Sequence, residues 1–232
     1  MFTHNFVEKY ELEEKIENDC RYYSIPCDSD RKWVPSVTSI ISCSDYFDNS
    51  WLAEWQKLVG HEKAEKIKIQ AGNRGSALHK ICEKYLLNDS EYKKGSMPTA
   101  IADFNRIKSK IDENIDIVYG IELPLFSLVL NTAGRTDLVA NWKNKKSIID
   151  FKTKRFKEKK NPSKEDILGY FVQASTYARM YNDLYSSNIE DIVILMSVDH
   201  SEPFVFEEKV DKYKDIVEEV FIKRRNESIN SI

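Results

Sequence analysis

The sequence lacks the cysteine patterns of a zinc site or a disulfide framework. Its four cysteines, Cys20, Cys27, Cys43 and Cys82, form no C-x-x-C pair and have no close histidine partner, so reduced structural thiols are expected. No apolar run is long enough to cross a bilayer, and no membrane partner is expected. No stretch rich in Pro, Gly or Ser divides the 232 residues, so the chain reads as a single domain, with a hairpin and helical region over 1–115 and a sheet core over 116–232. The opening "MFTHNFVEKYELEEKIENDC" is acidic, without the basic start and apolar stretch of a secretory signal or the Arg-rich pattern of a transit peptide. A cytoplasmic location is the expectation.

A basic surplus is also missing, since the net charge is −3, which taken alone argues against a nucleic-acid protein. The charges are nevertheless uneven. Residues 143–160 hold nine Lys/Arg against Asp150 and Glu158, a net +7 that leaves −10 for the remainder. Such a run is ordinarily a solvated loop; its functional alternative is a track facing phosphates.

What is present is periodicity of two kinds. "RYYSIPCDSDRKWVPSVTSII" reads as a hairpin about Cys27–Asp30 followed by a short helix. Asn49 or Ser50 can cap a helix in "WLAEWQKLVG", and a further helix runs through "HEKAEKIKIQ". "NRGSALHKICEKYLL" then places Ala77, Leu78, Ile81, Cys82 and Tyr85 on one helical stripe. A less regular helix follows at about 99–114. From Ile117 the period becomes that of strands. "IVYGIELPLFSLVL", "GRTDLVANW" and "KSIIDFKTK", joined by short turns, predict an antiparallel meander. The helix in "KEDILGYFVQASTYARMYNDLY" then leads to a buried strand "DIVILMSV", which a crossover favours as parallel to the sheet. An edge strand "PFVFEEKV" and a terminal helix "DKYKDIVEEVFIKRRN" complete an α/β fold with a mixed central sheet flanked by helices.

Asp150 and Lys152 share one side of their strand, while Phe151 points to the other. Asp137 lies thirteen residues earlier, inside the neighbouring strand, so the two carboxylates can meet. That pairing costs repulsion unless a cation lies between them, and hard oxygen ligands suit Mg²⁺ or Mn²⁺. An ordinary strand pair with exposed Asp and Lys is the alternative. Glu122 in the preceding strand offers a further carboxylate or is simply exposed. His79 on its helix is a candidate ligand or a packed side chain, and Gln173 and Tyr177, four residues apart, share a helix face.

The ordered motifs "RGSALH", "GRTDLVA", "IIDFKT" and "QASTY" resemble the RecB-like branch of the PD-(D/E)XK nucleases. With "VPSVTSII" and "AGNRGSALHKICEKYL" upstream, the chain is similar to the mitochondrial genome maintenance exonuclease group and its phage and bacterial relatives, over about Trp33 to Tyr181. The resemblance implies a restriction-endonuclease-like core behind an N-terminal helical region. It implies a metal-dependent DNA exonuclease preferring single-stranded ends, in recombination, replication or repair, in a bacterial or phage-infected cell. A flap endonuclease and a catalytically idle nucleic-acid-binding module are the alternatives.

By the same resemblance Asp137, Asp150 and the Phe151 carbonyl are expected to hold the metal with His79, and Glu122 to assist. Lys152 is the expected catalytic lysine; Gln173 and Tyr177 would position it and the DNA backbone. Arg74, Arg135, Lys154, Arg155 and Lys157 are expected at the phosphates, and Phe156 is a candidate for base stacking. Some RecB-like nucleases carry an iron–sulfur cluster on one cysteine before and three after the core. Here all four precede Glu122, so no cluster is expected.

Overall fold

A computed structural model describes residues 1–27, 30–47, 50–155 and 162–223. After a two-residue strand β1 (Thr3–His4), the chain builds a three-stranded antiparallel sheet from β2 (Glu13–Glu17), β3 (Cys20–Cys27) and β4 (Asp30–Pro35). The sequence predicts the β3–β4 hairpin but not β2, whose "EEKIE" is exposed throughout and carries no apolar alternation. Asn18 and Asp19, at φ of 50° and 60°, supply the two left-handed residues of the β2–β3 turn.

Ser36 caps the short helix α1 (Val37–Ser42), its hydroxyl accepting the Ser39 N–H at 3.0 Å. Helix α2 (Ser50–Val59) starts at Ser50, while Asn49 lies outside the described residues. Gly60, at φ 86°, separates α2 from α3 (His61–Leu86). The sequence suggests two helices here; the structure has one of 26 residues, passing through Gly72 and Gly75. Strong helix formers on either side absorb a cost of about 1 kcal/mol per glycine. Helix α4 (Pro98–Asn114) follows, with Pro98 at its start, where a missing N–H does no harm.

Three long strands form the predicted meander: β5 (Ile115–Ser127), β6 (Thr132–Trp142) and β7 (Lys145–Lys154). Helix α5 (Leu168–Tyr185) crosses over to β8 (Asp191–Val198), which pairs parallel to β7, and β9 (Phe204–Lys209) closes the edge antiparallel to β8. The sheet order is β1-β5-β6-β7-β8-β9. The predicted terminal helix is shorter than its pattern: α6 (Lys214–Glu218) runs into a π-helical turn over Glu219–Lys223, and residues 224–232 lie outside the described residues.

Hydrophobic cores fill both faces of the six-stranded sheet. On one, Phe171, Val172, Ala174 and Ala178 of α5 pack against Val139, Ile148, Ile192 and Ile194. On the other, Leu78, Ile81 and Cys82 of α3 and Phe104, Ile107 and Ile111 of α4 cover Leu138, Ile149, Phe151 and Val193. The N-terminal sheet seats Tyr23, Ile25 and Val34 on Phe126 and Ala133 of the meander. No helix among the described residues is long and apolar enough to cross a membrane.

Candidate active site

Strand register alone aligns three carboxylates. Pairing of Ile121 with Leu138 and of Leu123 with Thr136 sets Glu122 opposite Asp137. Pairing of Leu138 with Ile149 sets Asp137, one step on, opposite Asp150. Glu122 is aimed by its backbone. Its φ of 45° breaks the in-out alternation, so that Ile121 packs in the α3–α4 core while Leu123 and Leu125 pack in the α5 core. A non-glycine residue in that region costs about 1 kcal/mol or more, a strain typical of functional sites.

The β6–β7 ladder ends at this row, where Asp137 Oδ2 accepts the Phe151 N–H at 2.8 Å in place of a main-chain carbonyl. Helix α3 brings in His79, whose Nε2 donates to the Phe151 carbonyl at 2.7 Å and whose Nδ1 lies 3.5 Å from Asp137 Oδ1. A carbonyl can only accept, so Nε2 carries a proton. Nδ1 and the carboxylate oxygen then face each other as two acceptors, an arrangement that a cation between them would satisfy. The Phe151 carbonyl, expected among the metal donors, accepts this bond from His79 and keeps its second lone pair.

His79, Glu122 and Asp137 place one donor atom each within 4.8 Å of one another. Asp150 stands outside that trio. Its Oδ1 accepts from Gln173 Nε2 at 3.3 Å, and the Lys152 ammonium comes to 2.5 Å from Oδ2. Oδ2 is buried, with that ammonium as its close partner. Lys152 also lies 4.9 Å from the centre of the Tyr170 ring.

The charges here are incompletely balanced. Burial, reinforced by Asp137, pushes the Glu122 carboxyl up to about 7. Burial also raises Asp150 to about 6; Lys152 opposes this and Asp137 adds to it. For Lys152, burial works against the ammonium, but Asp150 and Asp137 outweigh it and raise its pKa, so the side chain is charged near neutrality. Tyr177 is driven well above the usual phenol range by burial and then by Asp137. Its hydroxyl packs so close to Gly134 that a Cβ there would come to 2.6 Å from it.

The donor set fits a divalent cation. Carboxylate oxygens that repel one another, beside one imidazole, suit Mg²⁺ or, with the nitrogen, Mn²⁺.

His79, Glu122, Asp137, Lys152, Gln173 and Tyr177 line a cavity of 640 Å³, with Asp150 buried behind them. Its wall also includes Arg21, Tyr23, Ser36 and Thr38 from the N-terminal sheet and α1, with Lys80 and Glu83 from α3. The sequence reading misses all of these. Glu83 follows His79 by four residues and so shares its helix face, a usable signal. Nothing in "RYYS" ties the hairpin to the site.

The expected phosphate contacts divide. Arg135 is exposed at the cavity. Arg74 is not available as expected: its Nε and Nη2 bond both oxygens of Asp103 at 2.7 and 2.6 Å, and Nη1 bonds Asp199 at 3.0 Å. Two carboxylates hold it because Asp103 is fully buried and needs the cation. Arg155 reaches Gln70 at 3.4 Å on the surface, and Lys154 is half-buried. Lys157 and Phe156 lie outside the described residues. Among the described residues the basic run is divided, because Lys145 and Lys154 end opposite tips of β7, about 30 Å apart at the rise of a strand. At the far tip Lys143 pairs with Glu207 at 2.5 Å and Lys146 lies 4.1 Å from the Tyr119 ring centre.

No family model matches the chain, and no curated protein matches it. Among solved structures, a crystal structure described as a "Putative exonuclease" from Eubacterium rectale is similar, at 12% identity and a TM-score of 0.45, over 66% of this chain and 65% of that one. The chain thus spans just under two thirds of that protein's length.

Proposed function

We propose that the protein is a metal-dependent deoxyribonuclease of the RecB-like PD-(D/E)XK type that degrades single-stranded DNA from its ends. The observation that carries this reading is the cross-strand row Glu122–Asp137–Asp150 with Lys152 two residues on and His79 at its side. Glu122, Asp137 and His79 would hold Mg²⁺ or Mn²⁺, with Asp150 turning to it from Lys152; no iron–sulfur cluster belongs to this reading. The ion supplies charge neutralisation at a non-bridging phosphate oxygen and a lowered pKa for the attacking water.

The protein's own groups do the remainder. Lys152 is charged, so it acts as a fixed cation that stabilises charge developing on the phosphate, or orients water, rather than as a base. Gln173 donates to Asp150 Oδ1 at 3.3 Å, leaving Oδ2 to Lys152. Tyr177 packs under the β6 backbone at Gly134, where no side chain could fit.

A cavity of 640 Å³ is in the range of small-ligand pockets and suits one strand rather than a duplex. The stretch of α3 before Ser76 extends past the cavity with mostly exposed side chains, and with α2 it would cover an entering strand. This reading places the enzyme in recombination, replication or repair of DNA ends, in a bacterial or phage-infected cytoplasm.

The test is digestion of end-labelled linear and covalently circular single-stranded DNA with Mg²⁺, Mn²⁺ or EDTA, using wild type beside Asp150→Asn and Lys152→Ala. Loss of linear DNA alone, only with metal and only with wild type, is expected. Cutting of circles would make the protein an endonuclease, and no cutting under any condition would remove the enzyme reading.

A further inference from the structure

The cavity has a second wall that the metal chemistry does not use. Arg21 reaches it from β3 and Arg135 from β6, with the hydroxyls of Tyr23 and Thr38 beside them. Strand alternation puts Arg21 and Tyr23 on the same face of β3, two residues apart. That face is turned to the meander by a bridge between Ser36 and Ala133 and by the Thr132 hydroxyl, which donates to the Pro35 carbonyl at 2.8 Å. Arg21 is therefore brought to the site by tertiary contact between the two sheets.

Its surroundings are those of a held cation with capacity left over. Glu14 pairs with Nε at 3.3 Å, and the Tyr23 phenol shares the cavity wall with it. The side chain still keeps about half its surface open, 49%, so the guanidinium can offer donors to a ligand. Tyr23 feels both Arg21 and Arg135, and Tyr177 feels Tyr23 as well as Asp137 and Asp150. The two phenols thus stand between the basic wall and the acidic row.

We propose that Arg21, supported by Arg135, is a substrate-positioning residue that holds a DNA phosphate neighbouring the one at the carboxylate row. This rests on the nuclease reading and adds to it the anchoring group that Arg74 cannot be. A guanidinium clamps a phosphate through two parallel N–H bonds, whereas the acidic row alone would repel the backbone. The residues that would hold successive phosphates thus come from different sheets, and a strand spanning both would lie over Tyr23 and Tyr177.

The test has a binding arm and a cleavage arm. In EDTA, a fluorescein-labelled single-stranded oligonucleotide is titrated at several salt concentrations into wild type, Arg21→Gln, Arg21→Lys and the control Glu14→Gln. Arg21→Gln is expected to weaken binding about tenfold and to make the slope of log affinity against log salt shallower by about 0.7, the loss of one phosphate contact on a single strand. Arg21→Lys should restore the slope and part of the affinity, and Glu14→Gln, which frees the guanidinium and removes a negative charge, should not weaken binding. With Mg²⁺, Arg21→Gln should raise KM and leave kcat within about twofold, as loss of uniform binding does.

Unchanged affinity and slope in Arg21→Gln would overturn the proposal. Weaker binding with an unchanged slope would also overturn it, since it assigns Arg21 a purely structural part. If wild type binds with the Arg21-dependent slope but cleaves nothing, the phosphate wall stands and the nuclease reading falls. If wild type cleaves and Arg21→Gln matches it in KM, the reverse holds.

Discussion

The protein buries two groups of acids, and they are treated in opposite ways. Asp103 is completely buried on α4 and fully engaged: Arg74 takes both oxygens, Arg106 bonds Oδ1 at 2.9 Å and the Ser197 hydroxyl donates at 2.8 Å. The Glu122–Asp137–Asp150 row has three facing carboxylates set against one lysine and one histidine, and a left-handed backbone at Glu122. Asp103 ties α3, α4 and β8 together within the chain. The row is left short of positive charge, which is the condition for recruiting a cation from outside. Burial of charge by itself does not mark a site; incomplete satisfaction does.

The sharpest way to break this comparison is to neutralise one acid in each group. Asp150→Asn should lower metal-dependent cleavage by about 10³-fold or more, with a smaller stability change in the metal-free protein than Asp103→Asn. Asp103→Asn should do the converse, costing roughly 3 kcal/mol in urea unfolding because Arg74 and Arg106 lose a buried partner, with cleavage per folded molecule nearly unchanged. If both variants lose stability and activity alike, the two groups do not differ in kind.

A smaller effect, opposite in sign for folding and function, is expected of Glu122→Gln. Removing a like charge opposite Asp137 should stabilise the metal-free protein at pH 8 by up to about 1 kcal/mol. The same change should shrink the rise in melting temperature that Mn²⁺ produces. A Mn²⁺ shift equal to that of wild type would take Glu122 out of the donor set.

The mildest test is pH. Glu122 and Asp150 have folded pKa values, about 7 and about 6, above their ordinary 4.5 and 3.8, so folding favours their protonated forms. That contribution is fully present below the ordinary values and is lost as pH rises through 6 to 7. The melting temperature of metal-free protein should therefore fall between pH 5 and pH 8, and Mn²⁺ should reverse the fall at the alkaline end. A metal-free melting temperature that rises across this range would contradict the assignment of strain to the row.

Much of this architecture was legible because it is local. Period-two alternation in "GRTDLVANW" and "KSIIDFKTK" located β6 and β7 and the shared side of Asp150 and Lys152, and helical spacing paired Gln173 with Tyr177. Strand β2 escaped because an exposed strand has no apolar alternation to read. The single helix α3 escaped because two glycines look like a break when flanking propensity is not weighed. Arg74 was misread because its partners Asp103 and Asp199 are 29 and 125 residues away in the chain.

The sequence by itself determined the α/β order of elements and the spacing that puts acids and a lysine on adjacent strands, since these follow from bond geometry and side-chain period. Only the tertiary structure decided which of those groups meet. Register brought Glu122, Asp137 and Asp150 into one row, and a left-handed residue turned Glu122 inward. The α3–sheet packing carried His79 to Asp137, and the docking of the N-terminal sheet on β6 placed Arg21 in the cavity. Each is a contact between segments far apart in sequence, where the deciding energy is packing and charge balance rather than any preference the local residues express alone.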